Sequence, residues 1–378
     1  MKKFSLLLFL LISFACKNAE NQPEASQKEP GKALKIENAK GFSIVKFKGY
    51  SLLKVNSPWP DAKKPFTYLL VRENGQVPDF IDYDEKITIP VKRIVVTSTT
   101  HIPALEALNE ENTLKGFPGL PYISSPKTRQ LIKNGKISEL GQTENMNTEV
   151  LINLDPDLVI GFSIDGSNKN FETFQKSGIP VVYNGEWTES TPLGKAEWIK
   201  FFGVLFGKEK EADSIFSTIK SDYLASKELA KQQKNSPSVL SGSMFRDQWY
   251  LPYGNSWQAQ FIQDANAHYI YANTQGEGSM SLSFESVLEK AGNADFWISA
   301  GQFESYEQLY QNSEHYKQFK AVQDKNVYSV SVTKGETGGI LFYELGPQRP
   351  DLILKDLISI FHPGTLPEYQ PVFFKPLQ

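Results

Sequence analysis

KEKEADSIFSTIKSDYLASKELAKQQ, residues Lys208 to Gln233, contains no Gly or Pro and places Ala212, Ile215, Phe216, Ile219 and Tyr223 at helical spacing. The stretch predicts one helix of roughly 38 Å at 1.5 Å per residue, longer than the average helix of a globular protein. A helix of that length has the reach to connect two compact bodies. The chain on either side of it follows an α/β pattern, so we read the helix as a strut.

Upstream, Arg93 to Thr97 (RIVVT) is a short β-branched run suited to a buried parallel strand, followed by a helix from His101 to Leu108. A helix from Glu149 to Leu154 stops at Pro156 before a strand, Leu158 to Gly161. A helix from Phe171 to Lys176 ends at Gly178 before another strand, Ile179 to Tyr183. Downstream the grammar repeats: strands at Ser238 to Ser243, Phe296 to Ser299 and Lys325 to Val332, with helices at Trp257 to Asp264, Phe284 to Lys290 and Pro350 to Phe361. Strands and helices alternating through short loops argue for parallel sheets covered by helices. The expected fold class is α/β, two parallel-sheet lobes joined by a single long helix.

A chain of 378 residues suits two domains better than one core. Its net charge of −3 becomes −5 if Lys2 and Lys3 are removed, a balance that gives no indication of nucleic-acid binding. Those lysines precede an apolar run, Phe4 to Phe14, then Ala15 and the sole cysteine, Cys16. This is a secretory leader too short to span a bilayer stably. The string SFAC resembles a bacterial lipobox, although Ser13 stands where a larger aliphatic residue is usual. The lipobox reading predicts lipidation of Cys16; the alternative is signal peptidase cleavage nearby. Either way no disulfide supports the mature body. Residues 17–33 are polar, with two prolines and no aromatics, and are expected to form a disordered tether. Residues 34–90 alternate in short pieces, FSIVKFKGYSLLKV and FTYLLV, with a turn signal at Asn74-Gly75, and are expected to form an antiparallel β extension. The expected organisation is leader 1–16, tether 17–33, extension 34–90, first lobe 91–207, linking helix 208–233 and second lobe 234–378.

Enzyme signatures are absent: there is no Walker loop and no HExxH, and GFSIDG at Gly161 lacks the spacing of a nucleophile elbow. GEGSMS at Gly276 does not follow a buried strand and is read as a loop. His101, His268, His315 and His362 are scattered without metal-ligand spacing. Aromatics say more. In Met244 to Trp257, MFRDQWYLPYGNSW, a strand end leads into a loop carrying Phe245, Trp249, Tyr250, Tyr253 and Trp257 with Arg246 as the one cation. Loops at the carboxyl ends of parallel strands are where α/β folds bind ligands, and aromatic walls with a fork-shaped cation suit a flat, oxygen-rich ligand. Core packing is the ordinary alternative for these rings, and is expected of Phe245. Comparable strand-end positions are Thr100 and His101, Phe162, Glu186 and Trp187, and Lys334. The candidate ligand contacts are therefore Thr100, His101, Phe162, Glu186, Trp187, Arg246, Trp249, Tyr253, Trp257 and Lys334, with no catalytic and no metal site.

The strings KRIVVTSTTHIPALEAL (from Lys92), MNTEVLINLDPDLVI (from Met146), LSFESVLEK (from Leu282) and RPDLILKDLISIFHP (from Arg349) resemble the binding proteins of ABC importers for ferric siderophores, cobalamin and haem, the helical-backbone class III of periplasmic binding proteins. The likeness covers about Lys92 to Pro363. It implies a bilobed fold that holds one ligand in the interlobe cleft, and a glutamate on each lobe that docks to the permease. Glu285 matches the docking position of the second lobe. The equivalent in the first lobe falls on Asn168, so Glu172, one helical turn on, or Asp165 would have to serve instead.

The function expected is a monomeric, lipid-anchored carrier of the bacterial cell envelope, facing the periplasm. It would deliver a ferric siderophore to an ABC permease and its ATPase, with no cofactor of its own. Cobalamin and then haem are the alternative ligands, haem wanting an axial His101, Tyr183 or Tyr253. A reading of another class is a lipid-anchored enzyme or an adhesion module built on the β extension. A continuous linking helix lacks the loop hinges of wide domain closure, which predicts modest lobe motion.

Overall fold

The computed structural model describes residues 31–166 and 168–378. The leader, Cys16 and most of the tether lie outside the described residues. The end of the tether does not stay irregular: Lys32–Ala33 forms a short strand paired with Val45 and Lys46.

The linking helix runs Glu209–Lys231, with Ala212, Phe216, Ile219, Tyr223, Ser226 and Ala230 buried along one stripe. That stripe serves two cores in succession. Ala212, Phe216 and Ile219 pack into the first hydrophobic core, whereas Tyr223 and Ala230 pack into the second. The 3.6-residue period thus extends across a boundary that no local signal marks.

The first lobe is built on a parallel sheet whose middle strands are Leu158–Gly161, Ile94–Val96 and Leu114–Phe117, with Val181–Tyr183 at one edge and Ser138–Glu139 at the other. All three residues of Ile94–Val96 are buried, as a central strand covered on both faces requires. The second lobe repeats the plan: His268–Tyr269, Ser238–Ser241, Phe296–Ile298 and Val327–Ser329 run parallel, and the C-terminal Lys375–Pro376 closes the edge antiparallel.

The β extension is a five-stranded sheet, antiparallel except that its last strand, Glu85–Ile89, runs parallel to Phe66–Arg72. It does more than cover a sheet edge. Tyr68 Oη accepts the backbone N–H of Tyr183 on the edge strand at 3.0 Å. One face of the extension, with Phe42, Ile44, Leu53, Val55, Leu70 and Ile87, is continuous with the core of the first lobe. Two buried carboxylates hold the segment that leads into it: Glu197 accepts the N–H groups of Glu37, Asn38 and Ala39 at 2.6–3.0 Å, and Glu189 accepts those of Lys40 and Gly41 at 2.9 and 2.8 Å.

The helix Trp257–Asp264 forms as expected, but the two segments that flank it, read as loops, do not stay irregular. Ser243–Phe245, Gln248–Pro252 and Ser279–Leu282 form a three-stranded antiparallel sheet, so the end of GEGSMS is strand. The turn of its hairpin is Arg246-Asp247, with Arg246 at φ 55°.

Candidate functional site

The carboxyl ends of the first lobe's parallel strands open onto a cavity of about 420 Å³. Thr97, Ser98 and Thr99 follow Ile94–Val96, Phe117 and Pro118 end and follow Leu114–Phe117, and Phe162 follows Leu158–Gly161. The Thr97 hydroxyl donates to the Ile160 carbonyl at 3.1 Å and accepts the Phe162 N–H at 2.9 Å, which locks two neighbouring strand ends together. Ser98 caps the short turn after it, accepting the Thr100 N–H at 3.3 Å and sharing a hydrogen bond with the Thr100 hydroxyl at 2.8 Å.

The opposite wall comes from the second lobe: Gly338, Gly339, Ile340 and Tyr343. Tyr122 and Tyr343 are both well exposed, at 63% and 59%, and both line the cavity. Among the described residues Glu144 is the single charged side chain of the lining; the other polar side chains carry hydroxyls. The cavity therefore offers aromatic faces, hydroxyl donors and acceptors and one carboxylate.

A second layer supports this wall. Trp187 meets Phe162 edge to face at 5.7 Å and donates its indole N–H to the Pro58 carbonyl of the extension at 3.1 Å. Gly185 and Gly166 allow the extension to close in: a Cβ at Gly185 would lie 2.8 Å from Pro58, and one at Gly166 would lie 2.4 Å from the Trp59 ring. The β extension thus buttresses the cavity side of the first lobe.

Of the ten side chains expected to touch ligand, Phe162 alone lines the cavity. Thr100 and Trp187 stand directly behind lining residues. Glu186 is buried at the start of a short 3₁₀ turn. His101 is 1% exposed and packs on Phe202, and burial pushes its pKa down to about 3, so the ring is neutral and faces the core. Trp249 is fully buried among Trp297, Phe319 and Tyr316, whereas Phe245, expected in the core, is 62% exposed. Strand alternation explains the exchange: Trp249 and Leu251 point inward from Gln248–Pro252, and Phe245 flanks the turn. Tyr253 is covered by Gly276, and Trp257 lies between Phe342 and the Lys195 ammonium, 5.2 Å from its ring. Lys334 lies outside the cavity and forms an ion pair with Glu304 of its own lobe. Arg246 is exposed over the Phe245 ring.

Sequence reasoning missed Tyr122, Tyr343 and the Gly338-Gly339 pair. The TKGETGGI string held the one available signal, a cluster of glycines after a strand.

Glu285 is exposed in the first turn of Phe284–Ala291, and its own backbone N–H and the Ser283 hydroxyl hold its carboxyl below the usual range. Asn168 caps Lys169–Lys176 by accepting the Asn170 N–H at 3.0 Å, while Glu172, in the same first turn, is exposed and lies 3.7 Å from Lys176. Among the described residues no helix is long and apolar enough to cross a membrane, and no group of His, Cys, Asp and Glu could hold a metal ion.

A family model described as periplasmic binding protein matches residues 94–331. An uncharacterized lipoprotein of Methanocaldococcus jannaschii is 27% identical over 321 residues, 81% of this chain and 75% of its own. Among solved structures, a periplasmic haem-binding protein of Pseudomonas aeruginosa is 17% identical with a TM-score of 0.57, over 76% of this chain and 98% of its own. A periplasmic binding protein of Veillonella parvula is 16% identical with a TM-score of 0.58, over 86% and 96%. An ABC-type Fe3+-hydroxamate transport protein of Saccharomonospora viridis is 18% identical with a TM-score of 0.53, over 72% and 94%. These likenesses share the bilobed fold.

Proposed function

The chain belongs to the periplasmic binding protein family, and from that premise we propose that it captures a compact, uncharged ferric chelate of the hydroxamate type in the interlobe cleft and delivers it to an ABC importer. The observation that carries this reading is the lining: Phe117, Phe162, Tyr122 and Tyr343 with hydroxyls from Thr97, Ser98, Thr99 and Thr143, and Glu144 as the single charge. Each hydroxamate carries one negative charge, so three of them cancel the ferric charge and the complex needs no cation in the wall. A ferric tris-catecholate keeps a large negative charge, which a cavity with a lone carboxylate disfavours. The volume of about 420 Å³ sits low in the range of small-molecule sites, which fits a compact chelate better than a corrinoid.

Haem is the second reading, favoured by Tyr122 and Tyr343, whose phenol oxygens are of the kind that ligates ferric haem. In the delivery step Glu285 meets the permease from the second lobe and Glu172 from the first, with the protein held in the envelope by a lipid on Cys16.

Titration of the apo protein with ferrichrome, ferric enterobactin, hemin and cyanocobalamin, followed by quenching of tryptophan fluorescence, tests the reading. Trp187 lies against a wall residue and serves as the reporter. Saturable quenching by ferrichrome, with little response to the catecholate, is expected. Saturation by ferric enterobactin or cyanocobalamin without response to ferrichrome would overturn it.

A further inference from the structure

The second lobe's wall of the cleft leans on the first lobe. Its base is tied to its own lobe by the Lys334–Glu304 ion pair, and it folds back on itself through Lys334 and Ile340, bridged antiparallel. Its outer side lies on the segment Leu120 to Ser125 of the first lobe. A Cβ at Gly335 would stand 2.7 Å from Cα of Ser124, and one at Gly339 would stand 2.3 Å from the Tyr122 carbonyl oxygen. No other residue type permits backbones this close. The Thr337 hydroxyl donates to the Pro121 carbonyl at 2.7 Å, and Glu336 pairs with Arg129 at 3.2 Å and Lys133 at 2.9 Å. The Glu344 carboxylate, 2% exposed, accepts the N–H groups of Ser124 and Ser125 at 2.6 and 2.9 Å.

We infer that Thr333 to Leu345 is a strap that crosses the cleft and sets its width, with Glu344 as the positioning residue that locks it to the first lobe. A carboxyl group that receives two adjacent main-chain N–H groups fixes both the distance and the angle of approach. Because Gly338, Gly339, Ile340 and Tyr343 lie on the strap, the docking fixes where one whole wall stands before any ligand arrives. Gly338, at φ 93°, has open space where its Cβ would stand, so it widens the cavity while Gly339 beside it makes the contact. The spacing of glycines in TKGETGGI is thereby explained by an interlobe contact between residues about 220 positions apart.

The strap's effect on ligand rests on the cleft being the ligand site, whereas its docking does not, so the two are measured separately. Amide hydrogen exchange of the apo protein reads the docking. In Glu344→Ala and in Gly339→Ala, Ser124 and Ser125 should exchange about 10-fold faster than in the parent, the scale of a lost hydrogen bond. The strands Ile94–Val96 and Leu158–Gly161 should keep their protection, which a general loss of stability would not allow. If neither variant folds, Thr337→Val and Glu336→Ala, both at exposed residues, are read in the same way. Unchanged exchange at Ser124 and Ser125 in the variants that fold would overturn the strap. Ferrichrome titration of the same variants then reads the cleft: about 10-fold weaker quenching is expected where the strap is released. Released exchange in variants of a parent that does not bind ferrichrome would leave the strap standing and remove only the ligand assignment.

Discussion

Glu197 should be the carboxylate whose loss detaches the β extension. Its side chain is fully buried and does two things at once: it accepts the N–H groups of Glu37, Asn38 and Ala39 at 2.6–3.0 Å, and it pairs with the buried Lys200 ammonium at 3.0 Å. Lys200 in turn donates to the Lys35 carbonyl at 2.9 Å and meets Asp213 of the linking helix at 2.8 Å. In Glu197→Ala an ammonium with an 8% exposed side chain loses its buried partner and the three N–H groups lose their acceptor. Breaking a buried ion pair on one side costs about 3–5 kcal/mol. Unfolding entropy of roughly 2 cal/mol/K per residue gives a chain of 378 residues about 0.8 kcal/mol/K, so the melting midpoint should fall by about 4–6 °C. Glu228→Ala, which removes an exposed pair with Lys231, serves as control and should shift it by less than about 1 °C. Circular dichroism melts supply the midpoint, and limited proteolysis should show cleavage near Lys35 and Lys40 in Glu197→Ala alone. A midpoint within about 1 °C of the parent would refute the reasoning, because it would mean that the extension is held by its apolar face and not by this carboxylate.

Trp249→Ala should destabilise the second lobe by about 3–5 kcal/mol in urea unfolding, whereas Arg246→Ala, at an exposed turn, should leave the midpoint unchanged. Glu344 has its carboxyl pushed up to about 7, first by burial and further by the Glu106 carboxylate, against the two N–H bonds that favour the charged form. The folded protein therefore holds a proton that the unfolded chain releases near 4.5. The stability this group contributes is present below about pH 4.5 and is lost as pH rises to about 7, a decline of up to about 3 kcal/mol. Urea midpoints at pH 5 and pH 8 should show that decline in the parent and not in Glu344→Gln. If hemin binds, Tyr122→Phe or Tyr343→Phe should change its Soret spectrum, and His101→Ala should leave the spectrum unaltered because that ring faces Phe202. Glu285→Ala should leave ferrichrome quenching intact and reduce uptake in cells; an equal fall in quenching would remove Glu285 from the docking surface.

The family and the two-lobed plan were legible because they rest on local, repeated signals. Short β-branched runs bounded by helices specify parallel strands, and the unbroken apolar stripe of Lys208 to Gln233 specifies a helix without knowledge of its partners. The candidate site was less legible. Phe162, expected at a strand end, lines the cavity, yet Trp249 turned into the core while Phe245 and Arg246 beside it stayed exposed. A hairpin about Arg246-Asp247 reverses the chain where a loop was expected, and side-chain alternation then decides which ring is buried.

The sequence by itself determined the class of fold and the repeat of α/β units about one long helix. Tertiary structure alone decided which side chains share the cleft. Tyr122 and Tyr343 face one cavity although they are far apart in the chain, and Glu344 reaches Ser124 across the lobes. Short-range patterning records how each segment folds on its neighbours, but a contact made when two separately built lobes come together leaves only indirect marks, such as glycines placed where two backbones must pass closely.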